Sequence, residues 1–155
     1  MTTDSIPRFN HVALSVPSEL LSGDTARDLL RFYEEVFGWG PMPTMVKEGE
    51  LIVLRAHSNE QFVYLHASEN PLTCPVSDHF GFQVDTADAL DAIVERARKF
   101  SESDERVEIS ERKAEDFTVV TLHSVYIRFL LPMRVELQCF DWAEGFDASR
   151  SVSPR

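Results

Sequence analysis

The order of apolar segments predicts an α+β fold in which one β-α-β-β-β unit is used twice. Three observations carry this expectation. The same succession of strand-type and helix-type segments runs through both halves of the chain. Each half opens with a histidine at the head of its first strand, His11 and His79. Three strands divide, residue by residue, into an apolar and a polar face. A repeat at this spacing says more about fold class than any single motif. Each unit leaves one sheet face bare, so the two halves should be needed together.

In chain order, Phe9–Val16 reads as a strand closed by Pro17. A loop with Gly23 follows, and Asp24 or Thr25 is placed to cap a helix through Leu29, Leu30, Tyr33, Val36 and Phe37. Gly38 stands where a helix C-terminus stops. Three strand-type runs come next: Pro43–Lys47, Leu51–Ser58 and Gln61–Ser68, the last two joined by a tight turn at Ser58-Asn59-Glu60. Residues 69–77, with Pro71 and Pro75, read as a linker. The order then restarts with a strand at Asp78–Asp85 and a helix capped by Thr86 or Asp88 and carrying Leu90, Ile93, Val94, Ala97 and Phe100. Strand-type runs follow at Val107–Arg112, Thr118–Leu131 and Arg134–Phe140. One domain is expected over 1–155, with module 1 at about 9–68, module 2 at about 78–142 and a polar, fraying tail from 143 to 155.

Composition narrows the function classes. A chain of 155 residues with 43% hydrophobic residues and 11 Phe can bury a sizeable core. A net charge of −11 argues against nucleic acid as a partner, because phosphate neutralisation needs a basic face. It also disfavours an anionic membrane surface, and no apolar run reaches the roughly 18 residues of a membrane span. The N-terminus lacks the basic and apolar regions of a signal peptide, so a cytoplasmic location is expected. Cys74 and Cys139 are far apart and form no CxxC or Cys/His cluster; they read as reduced, packed thiols.

The polar strand faces hold the chemistry. In the first strand His11, Ala13 and Ser15 oppose Val12, Leu14 and Val16. His79, Gly81 and Gln83 oppose Phe80, Phe82 and Val84, and Arg134, Glu136 and Gln138 oppose Val135, Leu137 and Cys139. In Gln61–Ser68, Phe62, Tyr64 and His66 share the polar side. In the long strand Ser124, Tyr126 and Arg128 do, whereas Val119, Val125, Ile127, Phe129 and the structural histidine His123 fall on the other. Arg55 and His57 share a face. An ionised carboxylate on such a surface needs a partner, because burying it alone is costly. His11, His79 and Glu136 form a two-histidine, one-carboxylate set. With open positions it suits Fe(II), and its ligand types admit Mn(II), Co(II), Ni(II) or Zn(II).

The segments FNHVALSV, LLRFYEEVFGWG, DHFGFQV and RVELQCFD, over about residues 9–142, resemble the metal-bearing strands of the vicinal oxygen chelate superfamily, the glyoxalase, bleomycin-resistance and extradiol-dioxygenase group. The resemblance implies paired βαβββ modules forming a cup-shaped, incompletely closed mixed β-barrel with flanking helices. It carries metal ligation to His11, His79 and Glu136, with Fe(II) or Mn(II) favoured and Ni(II) or Zn(II) as alternatives. The fourth ligand position of glyoxalase I-like members falls on or beside Tyr64, a poor ligand. Extradiol dioxygenases leave that position unligated, and their tyrosine and module-one histidine base map to Tyr126 and to His66 or His57.

The first expectation is therefore a metal-dependent enzyme acting on a small oxygenated substrate, with catechol-like ring cleavage slightly favoured over lyase or isomerase chemistry. Tyr126 and His66 would manage protons; Phe62, Tyr64, His57 and Arg128 would contact substrate. For Arg128, a carboxylate or phosphonate clamp and a salt bridge to a neighbouring acid are equal alternatives. The second is a drug- or antibiotic-binding protein without catalysis, using Phe62, Tyr64 and Tyr126 to stack a planar ligand. A fosfomycin-type transferase is a third. A homodimer is what the resemblance implies for assembly.

Overall fold

The computed structural model describes residues 7–146. Most of the expected fraying tail, 147–155, and the first residues, 1–6, lie outside them. The fold is α+β, with two open mixed sheets, and the chain divides into two compact units, Met1–Thr73 and Cys74–Arg155. Among the described residues no helix is long and apolar enough to cross a membrane.

In the first unit, β1 (His11–Val16) leads through a short 3-10 turn into α1 (Gly23–Phe32). The chain returns as β2 (Gly40–Lys47), β3 (Leu51–Arg55) and β4 (Phe62–Ala67), giving the sheet order β1-β4-β3-β2. Only β1 and β4 run parallel, with His11 beside Phe62 and Ser15 beside His66. One face is core: Leu14, Val16, Ile52, Leu54, Val63 and Leu65 are at most 1% exposed. Its partners come from the helical segment, where Leu29, Phe32, Tyr33 and Val36 are fully buried.

That helix departs from the expectation at both ends. Its N-cap is Ser22, which makes no side-chain capping bond, rather than Asp24 or Thr25. Beyond Phe32 it continues as a π-turn, Tyr33–Phe37, before Gly38 closes it at φ 74°. The wider turn gathers an aromatic cluster: Tyr33 stacks on Trp39 at 5.4 Å, and Phe37 lies 4.7 Å from the same indole. Packing of these three rings outweighs the ideal 3.6-residue period here.

In the second unit, β5 (His79–Gln83) precedes α2 (Ala87–Ser101), whose N-cap Thr86 accepts a hydrogen bond from the Ala89 amide at 3.1 Å. The remaining strands are β6 (Glu108–Ile109), β7 (Lys113–Asp116), β8 (Val120–Arg128) and β9 (Arg134–Trp142). The order is β5-β9-β8-β6, with β7 also paired to β8 and β5 parallel to β9. α2 buries Leu90, Ile93, Val94, Ala97 and Phe100, and Phe100 meets Phe129 edge-on at 5.6 Å.

Two strand expectations need correction. Val107–Arg112 contracts to the two residues of β6. The run Thr118–Leu131 is shorter, because a hairpin precedes it: β7 is an exposed, charged arm, and Thr118 turns the chain at φ 73° with its amide held by Asp116 Oδ1 at 2.8 Å. Val119 consequently lies in the turn, 42% exposed, instead of on the apolar face. A strand of Lys-Ala-Glu-Asp has no hydrophobic period to betray it; backbone pairing to β8 alone makes it one.

Candidate active site

In the second unit, alternation along β5, β8 and β9 sends His79, Tyr126, Arg134 and Glu136 to one side of the sheet. Register brings them together. His79 lies beside Arg134 in the parallel pair, Gly81 beside Glu136, and Tyr126 opposite Glu136 in the antiparallel pair. Core burial on the reverse face holds this arrangement, since Val125, Ile127, Val135 and Leu137 are at most 2% exposed.

His79 Nε2 stands 3.2 Å from Glu136 Oε2, while His79 Nδ1 is 2.8 Å from the Ser77 carbonyl. A carbonyl only accepts, so Nδ1 carries the ring proton and a neutral imidazole offers its Nε2 lone pair to the carboxylate. Two acceptors then face one another. Only a proton shared by the pair, or a cation, makes that geometry favourable. Glu136 is 7% exposed, so water does little to relieve it.

Tyr126 completes the cluster. Its ring meets His79 edge-on at 5.1 Å, and its hydroxyl donates to the Glu136 carboxylate. Burial first, then the hydrogen bond to Glu136 and that group's charge, push the phenol above its usual value, which keeps it protonated. Ser110 positions the tyrosine: its Oγ accepts from the Tyr126 amide and its own amide donates to the Tyr126 carbonyl, both at 2.9 Å. The Arg134 guanidinium lies over the same ring, its carbon 4.5 Å from the centroid. Gly81 keeps the floor low, since a Cβ there would lie 3.8 Å from Glu136 Oε2.

The first unit presents a comparable face of its own. His11 is exposed at the head of β1, its ring stacked on Phe62 at 4.9 Å and its Nδ1 2.8 Å from Asn10 Oδ1. With the amide oxygen as acceptor, His11 also carries its proton on Nδ1 and leaves Nε2 free to ligate. Tyr64 and His66, half-buried on the same face of β4, have their rings 6.0 Å apart. Leu51 and Val53 of β3 lie beside them and make that part of the face apolar.

Not every expected residue joins these clusters. β3 ends at Arg55, so His57 sits exposed in the β3–β4 turn and shares no strand face. Arg128 takes the salt-bridge alternative: its Nε and Nη2 reach the two Glu108 carboxylate oxygens at 3.1 and 2.5 Å. His123 lies among the core-facing positions of β8, its Nδ1 buried without a hydrogen-bond partner. Cys74 and Cys139 are free thiols, Cys139 being buried and its pKa raised chiefly by desolvation. Among the described residues, no three His, Cys, Asp or Glu side chains form a metal-holding group. A cleft of about 750 Å³ is lined by Arg8, Phe9, Asn10, Ser58, Glu60 and Gln61, and none of the expected site residues lines it. Sequence reading put Arg134 on the face of Glu136 without giving it a role at the site, and it missed Ser77 and Ser110, which act through bonds that no pattern marks.

Comparison with known proteins gives a consistent result. Residues 8–110 match the sequence family described as the Glyoxalase/Bleomycin resistance protein/Dioxygenase superfamily. No curated protein sequence matches the chain. Its fold is similar to that of the genomically encoded fosfomycin resistance protein FosX from Listeria monocytogenes, at a TM-score of 0.59 and 14% identity over 87% of this chain and 94% of that one. A putative glyoxalase family protein from Bacillus anthracis aligns at 0.60 and 15% identity, over 90% of this chain and 100% of the other. A virulence protein from Salmonella typhimurium aligns at 0.57 and 21% identity, over 88% and 99% respectively.

Proposed function

This chain belongs to the Glyoxalase/Bleomycin resistance protein/Dioxygenase superfamily, and we propose from that premise that it is a divalent-metal enzyme acting on a small oxygenated substrate. The observation that carries the proposal is the placement of the His79 ring between the Ser77 carbonyl and the Glu136 carboxylate. With Nδ1–H committed to the Ser77 carbonyl, Nε2 and Glu136 Oε2 face each other as two acceptors 3.2 Å apart. Two donors bonded at roughly 2.1 Å to one cation lie about 3.0–3.4 Å apart for angles between square and tetrahedral, so the spacing suits adjacent ligands. Fixing the remote ring nitrogen on a carbonyl is also how ligating histidines are oriented. His11, its Nδ1 held in the same way by Asn10, is the third donor named by the sequence.

A bound Fe(II) or Mn(II), or alternatively Ni(II) or Zn(II), would supply a Lewis acid that polarises vicinal oxygens of the substrate. The chain's own groups do the rest. Tyr126 holds a proton at its hydroxyl and is suited to act as an acid toward a substrate oxygen. Ser110 keeps it in place through two backbone hydrogen bonds. His66, half-buried beside Tyr64, is the base of this reading. Dioxygen-dependent ring cleavage of a catechol-like substrate, with both atoms of O2 entering the product, is the preferred reaction, because Tyr64 is a poor fourth ligand.

A second reading rests on the aromatic surface of the first unit. His11 stacked on Phe62, with Tyr64 alongside, would suit a planar ligand held without catalysis. The fosfomycin resistance of the FosX neighbour keeps antibiotic binding within this reading.

Metal content of protein purified anaerobically separates the two. About one divalent metal per chain, lost in both His11→Ala and His79→Ala, is expected. Wild-type protein that holds no metal and takes up none on titration would overturn the enzyme reading in favour of ligand binding.

A further inference from the structure

Arg134 has no place in that reaction, yet its surroundings are those of a binding group. It lies on β9 two residues before Glu136 and beside His79 in register, on the face that holds Tyr126. Arg27, Arg98, Arg106, Arg112 and Arg128 each stand within ion-pair distance of a carboxylate. Arg134 has no such carboxylate among the described residues, although the chain carries 26 Asp and Glu against 15 Lys and Arg. Its guanidinium rests on the Tyr126 ring, and its Nε–H is buried without an acceptor. The adjacent carboxylate, Glu136, faces His79 Nε2 and Tyr126 rather than this guanidinium.

A buried guanidinium N–H without an acceptor is expensive, because the group gives up water and gains nothing in exchange. The planar fork of donors that remains matches a carboxylate, and stacking on Tyr126 holds it rigid before any ligand arrives. We propose that Arg134 is the anion-recognition residue of this site, and that the substrate carries a carboxylate beside the oxygens that meet the metal. The proposal builds on the metal reading by naming the substrate class.

The test is a titration of 15N-labelled protein with benzoate, and with benzyl alcohol as the neutral control, followed at the Arg134 Nε–H resonance, with and without Zn(II). A saturable shift with benzoate and none with benzyl alcohol is expected. Affinity should fall at least tenfold in Arg134→Gln and by less in Arg134→Lys, while Zn(II) affinity stays within twofold of wild type in both. The proposal is overturned if benzoate moves no Arg134 resonance in either state, or if Arg134→Gln binds benzoate as wild type does. Should Arg134→Gln not fold, the wild-type resonance and Arg134→Lys still decide. Absence of Zn(II) uptake with benzoate binding intact would count against the metal reading and leave the role of Arg134 standing.

Discussion

Neighbouring positions 136 and 137 on β9 should respond to mutation in opposite ways. Leu137 is 2% exposed and sits between Phe82 of β5 and Val125 of β8 in register. Leu137→Ala removes three carbons, about 2.4 kcal/mol at roughly 0.8 kcal/mol per buried CH2. Strands on both sides limit collapse, so a cavity of about 40–50 Å³ adds about 1 kcal/mol. The expected loss is about 3.5 kcal/mol, with metal affinity unchanged in whatever protein remains folded. Glu136→Gln changes almost no volume. The amide oxygen still accepts from the Tyr126 hydroxyl, and the new N–H₂ can donate to the His79 Nε2 lone pair, relieving the acceptor–acceptor contact. Stability should therefore hold within about 1 kcal/mol or rise, while metal binding is lost. Urea unfolding of chelator-treated protein at pH 7, read by Trp39 and Trp142 fluorescence, gives the first quantity; metal titration gives the second. A loss above about 2 kcal/mol in Glu136→Gln would mean that the carboxylate is one half of a structural ion pair with a protonated His79, since breaking a buried pair costs about 3–5 kcal/mol. The site reasoning would then fail.

Three further outcomes are expected. Thr118→Gly should stabilise the protein by about 0.5–1 kcal/mol, because a β-branched residue at φ 73° carries a penalty of about 1–2 kcal/mol that exceeds the added entropy of glycine; a lower urea midpoint would refute it. Thr86→Ala removes the side-chain cap of α2 and should cost about 1 kcal/mol by the same assay. The raised pKa of Tyr126 means that the folded chain holds this proton more tightly than the unfolded one. Its contribution to stability is complete below about 10, the unfolded value, and is lost as pH rises through the folded value. Tyr126→Phe should flatten the fall of the stability–pH curve above about pH 10, and an unchanged slope would show that another group sets it.

The β-α-β-β-β order of the first unit, and all of the second except β7, was readable from period, because strands with one buried face must alternate and a helix on that face must repeat near 3.6 residues. The same alternation placed His79, Glu136 and Tyr126 each on the polar face of its own strand, since parity depends only on counting along a strand. Register does not. That Tyr126 falls opposite Glu136, and that Arg134 lies beside His79, depends on how loops of particular length set one strand against another. The proton on His79 Nδ1 was equally hidden, being decided by a backbone carbonyl two residues away that any side chain at position 77 would supply. The exposed arm β7, the π-turn after α1 and the diversion of Arg128 to Glu108 share one cause. Each is settled by partners distant in sequence, through hydrogen bonds, aromatic packing or charge, and leaves no period in the chain to be read. Local pattern thus determined which residues face the same way, and tertiary pairing decided which of them touch.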